Sequence, residues 1–138
     1  MQLPTLANDF WSLVSGEERN RAAPATFEIP ALAERNSLAP GQGAKLIFEI
    51  EAEEKDGTVS TSTERMWVIV SSRVGGGYIG ILDSEPVTIP NDGEFYLCRG
   101  AEIPFLPEHI VALSSPPPEY SAERLASPPV KRWSPREA

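Results

Sequence analysis

The sequence predicts a mainly β domain: a small barrel, open or closed, with a helix before it, a short second helix and an irregular C-terminal arm. Three observations carry this reading. Lys45 to Glu51 alternates apolar and polar residues, with Leu46, Phe48 and Ile50 on one face; that is the pattern of a strand buried on one side. Glu64 to Val70 reads Glu-Arg-Met-Trp-Val-Ile-Val, a run of strand-forming residues in which Met66, Val68 and Val70 again share a face. Gly75 to Gly77 then joins that run to Tyr78–Leu82, too briefly for anything but a hairpin tip.

In chain order, Asn8 or Asp9 caps an expected helix whose apolar face is Phe10, Trp11, Leu13 and Val14, with Glu17 to Arg21 on its polar side. Thr26 to Pro30 reads as extended. Pro30 then suits the first position of a helix over residues 31–38, because its missing N–H would have no partner there anyway; Pro40-Gly41 ends it. Asp56-Gly57 marks the turn between the first two strands. Asp83 to Pro86 closes the third. Val87 to Ile89 reads as a short edge strand beside proline, Asn91-Asp92-Gly93 as a turn, and Glu94–Cys98 and Glu102–Phe105 as the last strands. Leu106 to Ile110 reads as one helical turn, and Tyr120 to Ala126 as another with Ser121 as its cap. Three units follow: residues 1–25, a helical arm; 26–113, the barrel; and 114–138, a proline-rich extension holding six prolines in 25 residues.

Composition narrows the chemistry. One cysteine, Cys98, allows no internal disulfide, and one histidine with one cysteine makes a zinc site improbable, so no metal or cofactor is expected. The N-terminal residues lack the pattern of a signal peptide, and no apolar run approaches the roughly 20 residues of a membrane span; a soluble, cytoplasmic protein is expected. The net charge is −8, and residues 44–113 hold 12 acidic and 5 basic side chains. Such a surface repels nucleic-acid backbones and attracts a basic protein.

The stretch from Phe27 to Leu113 resembles a bacterial family known as domain of unknown function 2314. The likeness lies in Ile29-Pro30, Arg35, Leu38, Gly41, Lys45-Leu46, Glu64-Arg65-Met66-Trp67-Val68, Tyr78-Ile79-Gly80-Ile81-Leu82 with Pro86, Pro104-Phe105 and Glu108-His109-Ile110. Asp83-Ser84 departs from the asparagine-rich turn the family leads one to expect. The resemblance implies a small SH3-like barrel and brings no catalytic residue.

Among candidate functional residues, Trp67, Ile69 and Tyr78 would form an outward aromatic patch for peptide binding if Trp67 and Ile69 face away from the core; the alternative is that Trp67 is core. Trp133 is an anchor for docking the arm, on this barrel or on another chain. Glu49 and Glu51 share a face and could meet a basic partner, with Arg65 or Arg73 compensating from the next strand. His109 is the one conventional general base, so a hydrolase built on it is an alternative; a structural histidine tied to a backbone carbonyl is the plainer reading. The function expected is a non-enzymatic protein-interaction module, an immunity or inhibitor protein for a basic partner, with a structural component of a phage or secretion assembly as the other alternative.

Overall fold

A computed structural model describes residues 1–90 and 92–134. Asn91 and Pro135 lie outside the described residues. The protein is mainly β, an antiparallel sheet curled into a half-barrel with four short helices. In chain order the elements are helix α1 (Leu6–Asp9), strand β1 (Trp11–Leu13), helices α2 (Gly16–Ala22) and α3 (Leu32–Arg35), strands β2 (Gly43–Glu53), β3 (Val59–Val74), β4 (Gly77–Leu82) and β5 (Glu102–Phe105), a 3₁₀ turn over Pro107–His109, strand β6 (Ile110–Ser114) and helix α4 (Pro118–Ala126).

The sheet runs β1-β2-β3-β4-β5, and β6 also pairs β2. The outer edge of β2 is shared: β6 covers Gly43 to Leu46 and β1 covers Phe48 to Ile50. The β2–β3 turn forms at Asp56-Gly57 as its residues dictate. Gly57 sits at a φ of 87° and the Asp56 carboxylate accepts the Thr58 N–H. A bulge between Val70 and Ser72 bends β3, and there Ser71 Oγ donates to the Ile79 carbonyl. Bulges of this kind increase twist and curl a sheet. Before the bulge, the residues of β3 with even numbers point into the concave side, where Met66, Val68 and Val70 pack with Leu46, Phe48, Ile50, Tyr78, Ile103 and Phe105.

The N-terminal segment departs from the expected helix. Thr5 caps α1 and Phe10 stops it with a left-handed φ of 66°. Trp11 to Leu13 then pair with β2, because Trp11 buries its indole fully against Phe48 in the core. Helix α2 begins afterwards, capped by Ser15. Phe10, assigned to the apolar helical face, is 60 % exposed. Three further expectations are corrected. Residues 87–89 are not a strand: the Val87 and Thr88 amides donate to the Glu64 carboxylate instead. Residues 94–98 form an irregular segment that lays Leu97 and Cys98 into the interior. Ser121 lies inside α4 rather than at its cap, and its Oγ donates to the Gly41 carbonyl. Strand β6 had no signal of its own, since Ile110 to Leu113 carries no alternation.

Arg35 ties the helices to the barrel. It is 5 % exposed, and donates to the Pro30 carbonyl, the Pro107 carbonyl and the Glu17 carboxylate. Among the described residues no helix is long and apolar enough to cross a membrane.

Candidate functional site

The two faces of β3 set up the surface of interest. Before the bulge, side chains with odd numbers point to the convex face. Trp67 is half-buried there, beneath the arm that follows β6, and Lys45 Nζ stands 5.6 Å from its ring centre. Pro116, Pro117 and Tyr120 face it across a groove of about 570 Å³ that ends at Asp83. The wall is fixed. The Tyr120 hydroxyl donates to Asp83 Oδ2 at 2.7 Å, and Arg124 and Arg99 donate to Oδ1 at 2.9 and 3.4 Å. The C-terminal arm thus covers part of its own barrel.

The aromatic patch does not form. Ile69 is buried under the arm and Tyr78 is fully buried in the core, because alternation sends Tyr78 to the concave side. The Tyr78 hydroxyl donates to the Arg35 carbonyl at 2.7 Å and accepts the Leu38 N–H. Of the three, Trp67 is the one that is only half-buried. Trp133 docks on its own chain: its ring meets Trp11 and Tyr96 edge-on, and its Nε1 donates to the Gln2 carbonyl at 2.9 Å.

Backbone direction along β3 decides what its edge can do. Gly41 donates to the Val70 carbonyl and Val70 to the Gln42 carbonyl, so residues with even numbers turn their N–H and C=O toward the β2 side. Asp83 donates to the Trp67 carbonyl, so odd ones turn toward β4. The β2–β3 register runs unshifted from Ile69 to Val59, and β4 ends at Leu82 opposite Val68. Arg65, Thr63 and Thr61 therefore direct their N–H and C=O groups to an edge with no strand on it among the described residues. All three are exposed. The same two-stranded ribbon carries Glu49, Glu51, Glu53, Glu54, Asp56 and Glu64 against Lys55 and Arg65. Glu49 and Glu51 do not meet the arginines expected to compensate them. Arg65 lies over the Phe27 ring, and Arg73 lies over Tyr78 and donates to the Asn36 carbonyl.

Glu64 itself is a structural acid. Burial pulls its carboxyl up, but the bonds from Thr88 and Val87 outweigh this and hold it below its ordinary range.

His109 is buried, and Nδ1 accepts the Leu106 N–H at 2.9 Å rather than donating to a carbonyl. That bond occupies the one lone pair of the neutral ring and places the proton on Nε2, where Glu108 Oε1 stands 4.0 Å away. Burial lowers its pKa, opposed by Glu108 and Glu17. Ser15 donates to Glu108, not to the imidazole. This arrangement has no activated hydroxyl. Cys98 is buried, and burial pushes its thiol up, which suits a small core residue. Among the described residues no group of three or more His, Cys, Asp or Glu is placed to hold a metal ion.

No protein-family model, curated protein or solved structure matches the chain.

Proposed function

We propose that this chain is a non-enzymatic protein-interaction module that takes an extended segment of a basic partner along the free edge of β3. On the shared motifs we place residues 27–113 with the domain of unknown function 2314 family, which brings no activity with it. The observation that carries the reading is the row of outward N–H and C=O groups at Thr61, Thr63 and Arg65, set on an acidic ribbon. An unpaired edge is a template for strand addition. The carboxylates speed encounter with a cationic chain and disfavour an acidic one. Three residues offer a donor and an acceptor each; six bonds at a net gain of about 1 kcal/mol each would give a Kd of tens of micromolar at best, and ordering costs move it toward the millimolar range. An inhibitor or immunity protein that blocks a basic partner would use such a surface.

Titration of the labelled protein with an alternating Lys-Val peptide, followed by amide NMR shifts, tests this. The peptide should shift the amides of Thr61, Thr63 and Arg65, and a Glu-Val peptide should not. Thr63→Pro removes an outward N–H, so it should fold normally and lose binding. Ser62→Pro removes a bond to β2 and should destabilise the fold by about 1–3 kcal/mol. Equal binding of the two peptides, or binding that survives Thr63→Pro, refutes the reading.

A further inference from the structure

We propose that a pocket where the two ends of the chain meet receives an arginine side chain of the partner. This pocket is separate from the β3 edge and stands or falls independently of it. It has a volume of about 390 Å³. Trp11 is its floor, Tyr96 and Trp133 are its walls, and Phe10 stands at the mouth. Trp11 and Tyr96 lie nearly parallel, 9° apart, and Trp133 meets both at steep angles, 74° and 79°. Of these rings Tyr96 and Trp133 are partly exposed; such faces attract a cation through their quadrupoles, and arginine stacks on them best.

The charge around the pocket has the matching sign. Asp9 and Glu94 are in its lining, and among the described residues no basic one is. The Lys131 ammonium donates to the Gly93 carbonyl at 3.1 Å and is not in the lining. The pKa of the Tyr96 hydroxyl is raised, chiefly by burial and then by Glu102, Cys98 and Asp9. The walls are pinned as well. Tyr96 donates to the Glu102 carbonyl at 2.7 Å, and the Trp133 N–H donates to the Glu102 carboxylate at 2.9 Å.

Phe10 supplies an independent observation. It is the one non-glycine residue with positive φ among those described, at 66°, and its side chain is 60 % exposed. A left-handed phenylalanine is sterically costly, and this one recovers little of that cost by burial. Asparagine or glycine would make the same turn more cheaply. A ring held at the mouth of an aromatic pocket gains its burial when a side chain enters.

The test is titration of the full chain, labelled with nitrogen-15, by N-acetyl-arginine amide, N-acetyl-lysine amide and the neutral isostere N-acetyl-citrulline amide. Arginine should shift the indole N–H signal of Trp133 and the amide of Phe10 saturably. Lysine should bind several-fold more weakly and citrulline not measurably. Glu94→Gln, at an exposed position that leaves the fold intact, should weaken arginine binding about threefold. Trp133→Ala should abolish it. Absence of a saturable shift, or equal binding of citrulline, overturns the site. Equal binding of lysine overturns its assignment to arginine. Shifts confined to Thr61, Thr63 and Arg65 would overturn the pocket while leaving the β3 edge reading in place.

Discussion

Replacing Arg35 by methionine should be among the most damaging single changes in this protein. The methionine fills much of the same space, so the loss is chiefly polar. Three groups lose their donor: the Pro30 carbonyl at 2.8 Å, the Pro107 carbonyl at 3.0 Å and the Glu17 carboxylate at 2.6 Å. The arginine side chain is 6 % exposed and that of Glu17 30 %, so Glu17 regains some water but the site as a whole does not. Removing one member of a buried ion pair costs about 3–5 kcal/mol. For a chain of this size that lowers the melting temperature by roughly 10–20 °C. Glu17→Gln should cost less, about 1 kcal/mol, because Arg35 keeps both carbonyls. Urea denaturation followed by circular dichroism measures both. A loss below about 1 kcal/mol for Arg35→Met would refute the claim that this side chain fastens α2, α3 and the 3₁₀ turn to one another.

Three further outcomes are expected. A β-carbon at Gly77 would lie 2.6 Å from the Phe105 carbonyl oxygen, whereas Gly76 has open space, so Gly77→Ala should cost about 2 kcal/mol and Gly76→Ala less than 0.5 by the same denaturation assay. The folded pKa of His109 lies below its unfolded value near 6.5; its contribution is therefore complete above pH 6.5 and is lost as pH falls toward the folded value. Wild type should weaken between pH 7 and 5.5 more than His109→Gln does, and parallel curves in calorimetry would contradict this. Deleting residues 116–138 should uncover Trp11, Trp67 and Ile69, raise the fluorescence of an apolar dye and cost on the order of 3 kcal/mol; no change in either would show that the arm does not pack.

The strands with strong alternation were legible in the sequence. Leu46, Phe48 and Ile50, with Met66, Val68 and Val70, repeat every second residue, and both turns carry residues suited to their backbone. Trp11 was misread because Phe10, Leu13 and Val14 fall at helical spacing; pairing with β2 and burial of the indole outweigh local propensity there. The patch fails at Tyr78, whose alternation with Gly80 and Leu82 sends it inside. Asp83, Arg99, Tyr120 and Arg124 meet only through the fold, and nothing in their spacing announces it. The β3 edge was equally hidden. It depends on β3 running to residue 59 while β4 stops at Leu82 beside Val68, a mismatch of lengths that no local pattern encodes.

Amide hydrogen exchange along β3 tests the edge most directly. In the free protein the N–H groups of Thr61, Thr63 and Arg65 should exchange fast while those of Ser62, Glu64 and Met66 are protected by β2. With the Lys-Val peptide at saturation the first three should slow markedly and the second three should change little. Protection of all six in the free protein, or no alternation on binding, would show that this edge is already occupied or is not where a partner strand adds.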